Sequence, residues 1–137
     1  MKRILSPFIF LMFFIGLESV AGPAEDFEAL LSEHWEWRMR ENPVGASRLG
    51  DRRWNDQWQD LSLDAIERRY GEQQAFLRRL RVIDSSQLSE ADQLNYDLFR
   101  RDLENRLDGH QYRSFLMPMS QRGGVQSLES TAETIRL

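Results

Sequence analysis

Residues 61–109 read LSLDAIERRYGEQQAFLRRLRVIDSSQLSEADQLNYDLFRRDLENRLDG, and their spacing decides the fold. Two segments of this stretch repeat apolar residues at intervals of three and four, the period of an amphipathic α-helix. The apolar positions of the first segment are Leu63, Ile66, Tyr70, Phe76, Leu77, Leu80 and Ile83. Those of the second form two lines: Ala91, Leu94 and Leu98, and Tyr96, Phe99, Leu103 and Leu107. The stretch therefore predicts two long helices.

Both helices carry start signals. Ser62 is a favourable N-cap, and Leu61 and Ile66 flank it with the spacing of a hydrophobic staple. Ser89 and Asp92 have the spacing of a capping box, with aspartate in place of the usual glutamate. We therefore expect the helices to begin directly after these two serines.

The connection between the two helices is about five residues long, which predicts an antiparallel helix hairpin. Gly109 is expected to end the second helix. The two apolar lines of that helix together make a face too broad for one partner. We therefore expect other polypeptide to cover this helix on two sides.

Upstream of the hairpin, residues 24–41 predict another helix. Its apolar positions are Phe27, Leu30, Leu31, Trp35 and Met39. His34 lies on the same face, which favours a buried core histidine over a metal ligand or a catalytic group. A helical zinc motif needs a second histidine four residues away, whereas the other histidine of the chain is His110. We expect His110 to interact with the C-terminus of its helix or with solvent.

A short helix and a loop are expected before the hairpin. Asn42 can cap the short helix, with proline at its first position, and Gly50 is a natural stop. Residues 51–60 have neither helical nor strand periodicity. Trp54 and Trp58 are expected to hold this loop in place by burying ring area. A platform for stacking sugars is the alternative interpretation of the same pair.

Residues 1–21 have the three-part pattern of a secretory signal peptide. Two basic residues precede an uncharged run of ten residues, 8–17, and Ser19-Val20-Ala21 offers small residues at a cleavage site. A membrane-spanning helix needs about 20 apolar residues, so an anchor is the less favoured interpretation. We expect the mature chain to be periplasmic or secreted, without a membrane association after cleavage.

The composition of the mature part excludes several classes of site and partner. Removing Lys2, Arg3 and Glu18 with the signal peptide leaves 16 arginines, no lysine and 21 acidic residues, a net charge of −5. This acidity argues against nucleic acid as a partner. The arginines suit carboxylate pairing across helix faces, although genomic base composition explains the same bias. Because there is no cysteine, disulfides, thiolate metal sites and thiol nucleophiles are excluded.

No complete catalytic, cofactor-binding or metal-binding motif is present. There is no G-x-S-x-G turn, and Gly123-Gly124 lacks the remaining residues of a phosphate loop. Residues 115–119, Phe-Leu-Met-Pro-Met, are apolar. Ser130 and Glu133 have capping-box spacing at a new helix start, only a few residues before Leu137. The expectation from this cap is a chain whose partner elements are missing.

Several features in sequence order carry a family resemblance. They are Arg-Glu-Asn-Pro at 40–43, Ala-Ser-Arg-Leu-Gly-Asp-Arg-Arg at 46–53, Asp-Leu-Ser at 60–62, Leu-Ser-Glu-Ala-Asp-Gln-Leu-Asn-Tyr-Asp-Leu at 88–98, the 115–119 run and Gly-Gly-Val-Gln-Ser at 123–127. Together they are similar to the N-terminal part of bacterial secreted proteins in the domain of unknown function 885 family. That family resembles helical zinc-dependent metallopeptidases of the zincin type. The resemblance extends over residues 25–137.

The resemblance implies zinc for a full-length family member but no cofactor in this segment. The family's presumed zinc-binding histidines and catalytic glutamate correspond to no residue here, and His34 and His110 do not match them. The implied role of these helices is to wall one side of a substrate cleft in a larger zincin-like helical fold. The candidate cleft-lining residues are Gln121, Gly123, Gly124 and Gln126.

Two hypotheses from different classes remain. In the first, residues 22–137 are the N-terminal helical portion of a larger domain, inactive alone, whose partners are the missing C-terminal portion of the same polypeptide and a peptide substrate. It predicts that the broad face of the third long helix and the 115–119 run lie exposed. In the second, the chain is a stand-alone periplasmic helical binding or interaction module without catalytic activity.

Overall fold

The computed structural model describes residues 22–116, which form four α-helices and no strand. The helices are α1 (Pro23–Glu41), α2 (Pro43–Arg48), α3 (Leu63–Val82) and α4 (Glu90–His110). Two single 3₁₀ turns, Ser85–Gln87 and Ser114–Leu116, flank α4. The all-α class agrees with the sequence-based expectation, and each helix boundary lies within about one residue of the predicted position. None of these helices is both long enough and apolar enough to cross a membrane.

Side-chain caps fix the starts of three helices. The hydroxyl of Ser62 accepts a hydrogen bond from the backbone N–H three residues later at 3.3 Å. Ser89 does the same at 3.2 Å and donates its own proton to the Asp92 carboxylate at 2.7 Å. The amide oxygen of Asn42 accepts from the Gly45 N–H at 3.0 Å. Each cap satisfies a backbone donor that lacks a partner within its helix.

Glycine acts as a stop in one of two predicted places. Gly50, which follows α2, has φ of +88°, a conformation that costs glycine little and other residues more. Helix α4, in contrast, continues one residue past Gly109 and ends at His110. The difference of one residue is within the usual fraying of a helix end.

The three long helices pack as an antiparallel series, α1 against α3 and α3 against α4. Along the first seam, Arg79 pairs with Glu33, Glu72 accepts from Trp37, and Arg68 pairs with Glu41. Along the second, Tyr96 donates to the Leu80 carbonyl at one end and His110 meets Glu67 at the other. The α3–α4 seam is the predicted helix hairpin.

A single apolar cluster lies between these helices. Its buried members are Phe27, Leu30, Trp37, Phe76, Leu77, Leu80, Leu88, Tyr96, Phe99 and Leu103. Leu31, Ile83 and Leu107 are partly buried against it. The cluster includes the second apolar line predicted for α4, with Leu107 at its margin, and none of the first line.

Several predicted apolar contacts are wrong. Trp35 is 47% exposed, whereas Trp37 occupies the core and its indole N–H donates to the Glu72 carboxylate at 2.7 Å. Leu61 and Leu63 are largely exposed, so the staple across the α3 cap does not bury its first member. Trp58 is 65% exposed and does not hold its loop in place.

Candidate functional site

The four residues predicted to line a cleft lie outside the described part of the chain. Gln121, Gly123, Gly124 and Gln126 follow residue 116, as do most of the apolar run and the last capping box. The signal peptide at 1–21 precedes the described part. These assignments therefore stay predictions.

His34 is a core residue, as expected. Its ring is 8% exposed and lies 4.7 to 5.4 Å from the ring centroids of Trp37, Phe76 and Phe99. Burial among these rings, with repulsion from nearby arginines, lowers the pKa of His34 to about 4. The imidazole is therefore neutral at pH 7. Among residues 22–116, no group of three or more histidine, aspartate or glutamate side chains could hold a metal ion.

The first apolar line of α4 is uncovered. Leu94 and Leu98 are 61% and 56% exposed, and Ala91 beside them is exposed as well. They lie about half a helical turn away from the buried Tyr96, Phe99 and Leu103. We call Ala91, Leu94 and Leu98 the α4 outer face. Its exposure agrees with the prediction for a helix that needs a second partner.

The apolar residues that follow α4 are also partly exposed. Phe115 is half-buried, and Leu116 is 53% exposed. The remainder of the 115–119 run lies beyond the described residues.

The loop before α3 is anchored by one tryptophan of the predicted pair. Trp54 is half-buried, and the guanidinium of Arg53 lies 5.9 Å from its ring centroid. Arg53 also forms ion pairs with Asp51 and Glu36, which join the loop to α1. A flat pair of exposed rings for stacking sugars is absent here, because only Trp58 is well exposed.

A basic pocket lies where the end of α4 meets the beginning of α3. Its volume is about 230 Å³, and we call it the α3–α4 pocket. Its lining residues are Ile66, Arg69, Tyr70, Gln73, Arg106, Gly109, His110 and Phe115. Within the described part of the chain, the lining thus contains two arginines and a histidine but no carboxylate.

Aromatic stacking builds one wall of this pocket. The ring of His110 lies parallel to that of Tyr70 with the centroids 4.0 Å apart, and Phe115 lies 5.3 Å from His110. The Nε2 atom of His110 is 3.2 Å from the Glu67 carboxylate. His110 therefore packs across the hairpin, instead of only meeting the helix end or solvent as expected.

Sequence reasoning missed this pocket, although a signal existed. Tyr70 belongs to the apolar stripe of α3, and Arg69 is its neighbour. In an antiparallel hairpin with a short connection, the beginning of the first helix faces the end of the second. That register brings Tyr70 opposite His110, so the pair was available from the predicted hairpin.

A comparison with family models gives one match. Residues 43–136 match the family described as "Bacterial protein of unknown function (DUF885)", which is more than half of the chain. No curated protein and no solved structure matches the sequence. The matched range includes α2, the whole hairpin and the candidate cleft residues.

Proposed function

The chain belongs to the DUF885 family of bacterial proteins, and from this premise we propose that it is the N-terminal helical part of an exported protein resembling a zinc-dependent metallopeptidase. In this proposal, residues 22–116 are a scaffold that packs beside a catalytic part of the same polypeptide. The region of Gln121 to Gln126 lines the substrate cleft, and the whole polypeptide hydrolyses peptides.

The α4 outer face is the observation that carries the scaffold role. Leu94 and Leu98 are four residues apart on one side of α4, and both are more than half exposed. Burying an exposed leucine contributes about 1.5–3 kcal/mol. A surface of this kind beside the buried cluster is suited to packing against further polypeptide.

Zinc enters this proposal only through the metallopeptidase resemblance. The described residues offer no cluster able to hold the ion. We therefore derive no step of peptide hydrolysis from residues 22–116, whose part is to fold and to present a packing surface.

Reading the genomic DNA beyond the codon for Leu137 is the first test. We expect an open reading frame that continues well past this codon and encodes a histidine-rich metal motif. A stop codon directly after Leu137 would contradict the scaffold role.

The second test uses the product of that longer frame. We expect it to hydrolyse peptides, to lose this activity on treatment with a chelator and to regain it with zinc. Replacing both Leu94 and Leu98 by glutamate should lower the hydrolysis rate or the folded yield, because charge would enter a buried seam. Val82→Glu, at an 85% exposed position of α3, is the matched control. An unchanged rate and yield in the double variant would contradict the proposal.

One observation favours the alternative, a stand-alone helical interaction module. Residues 22–116 enclose a single core of ten buried residues contributed by all three long helices and Leu88. On this alternative, the mature chain unfolds cooperatively as a monomer and exposes no large apolar patch. A mature chain without a helical circular dichroism signal would count against the module.

A further inference from the structure

We infer that the α3–α4 pocket binds a small carboxylate that carries an apolar group. This inference concerns only residues of the hairpin and the turn after it, so it stands whether or not the chain belongs to a peptidase. The pocket is slightly smaller than the usual range for drug-sized ligands, roughly 300–1,000 Å³. It therefore suits a ligand the size of one amino acid.

The first argument is that an arginine at the pocket wall is incompletely paired. The Nη1 atom of Arg69 is buried and has no hydrogen-bond partner among residues 22–116. Its nearest carboxylate oxygen belongs to Glu41, 3.6 Å away, which is beyond hydrogen-bond distance. That carboxylate is already engaged by Arg68 at 2.6 Å. A buried guanidinium N–H without an acceptor is costly, and a carboxylate in the pocket would place negative charge beside this guanidinium.

The second argument is the charge around the pocket. Arg69, Arg106 and His110 line it, and no carboxylate of residues 22–116 does. Each of the three has an acidic neighbour that does not line the pocket: Glu41, Asp102 and Glu67, respectively. These carboxylates offset the positive charge of the two arginines. Such a site suits a singly charged carboxylate better than a doubly charged phosphate, and a planar guanidinium matches carboxylate geometry.

The third argument is the apolar part of the lining. Ile66, Tyr70 and Phe115 contribute hydrocarbon surface next to the arginines. The ring of Tyr70 is held in place by its stack on His110. A ligand with a carboxylate at one end and an aliphatic group at the other would satisfy both parts of the pocket.

The experiment is a calorimetric titration of the 137-residue chain with N-acetyl-leucine. N-acetyl-leucinamide, which has the same size without the charge, is the matched ligand, and inorganic phosphate is the second comparison. We expect saturable binding of the acid, with the amide and phosphate at least about tenfold weaker. No saturable binding, or equal binding of acid and amide, would overturn the inference. Tighter binding of phosphate would overturn the assignment to carboxylates.

Variants then locate the site. Arg69→Met should weaken binding of N-acetyl-leucine by about 10- to 100-fold. Arg78→Met, an exposed arginine on the same helix that does not line this pocket, should leave it unchanged. If Arg69→Met lacks a helical circular dichroism signal, Arg106→Met at a half-exposed position replaces it, with the same direction expected. Binding that neither variant weakens would show that the ligand lies elsewhere, and would overturn the inference.

Discussion

His34 makes the stability of this protein depend on pH. Burial, together with repulsion from Arg106 and Arg38, lowers its pKa from 6.5 to about 4, although Asp102 acts in the opposite direction. An unfolded chain takes up the proton near pH 6.5, but the folded chain does so only near pH 4. Protons therefore favour the unfolded state between these values. We expect the free energy of unfolding to be undiminished by His34 above pH 6.5 and to fall by up to about 3 kcal/mol towards pH 4.

Urea unfolding at pH 7 and pH 4.5 measures this effect. Carboxylates also titrate between these pH values. The useful quantity is therefore the loss of unfolding free energy in the natural chain compared with the loss in His34→Leu. The variant should lose about 2 kcal/mol less between the two pH values. Equal losses in both proteins would show that His34 is not shielded in the folded state.

The burial of Trp37 in place of Trp35 is the point at which α1 departs from the prediction. Helical periodicity predicts a buried face for residues 24–41, and four of its members, Phe27, Leu30, His34 and Met39, are indeed buried. The sequence placed Trp35 on that face, whereas Trp37 is buried. The indole N–H of Trp37 needs a buried-side acceptor, and Glu72 supplies it from 35 residues away. Trp37 also continues the series Phe27, Leu30 and His34 at intervals of three and four residues, so helical spacing supported it, whereas its acceptor lies outside that pattern.

At the scale of elements, a tyrosine hydroxyl joins the two helices of the hairpin. The buried hydroxyl of Tyr96 donates to the backbone carbonyl of Leu80, near the end of α3, at 3.1 Å. Tyr96→Phe should lower the free energy of unfolding by about 1 kcal/mol, since it removes this bond with little change in packing. Tyr112→Phe, at a 74% exposed position, is the control and should have no effect in urea unfolding. Equal effects of both variants would contradict the role of this bond.

The ion pairs between α1 and α3 should differ in strength because their burial differs. Burial raises the pKa of Glu41, but Arg68, with Arg40 and Arg69, lowers it by more. The side chain of Glu41 is 12% exposed, compared with 53% for Glu33, which pairs with Arg79. Glu41→Gln should therefore cost about 1–3 kcal/mol and Glu33→Gln less than about 1 kcal/mol.

Thermal or urea unfolding of the two glutamine variants, at low and high salt, checks this order. The smaller effect of Glu33→Gln should vanish at high salt, because solvent screens exposed charges. A cost for Glu33→Gln as large as that for Glu41→Gln would contradict the argument from burial.

Helix starts were predictable because their causes are local. The caps by Ser62, Ser89 and Asn42 depend on residues three positions away, and each forms as expected. The staple failed because burial of Leu61 depends on what packs beside it, and the structure leaves this residue 71% exposed. The α3–α4 pocket combines residues of two helices and a turn, so its chemistry emerges only when the hairpin register is known.

At the scale of the whole molecule, buried and exposed leucines should contribute differently to the free energy of unfolding. Leu80 is fully buried in the core, whereas Leu94 on the α4 outer face is 61% exposed. Leu80→Ala should cost about 2–5 kcal/mol of unfolding free energy, because it removes buried methyl groups and leaves a cavity. Leu94→Ala, the same substitution, should stay within about 0.5 kcal/mol. Urea unfolding of the 137-residue chain gives both values. A large cost at Leu94 would mean that this chain covers the α4 outer face itself, and the face would no longer be available to a larger polypeptide.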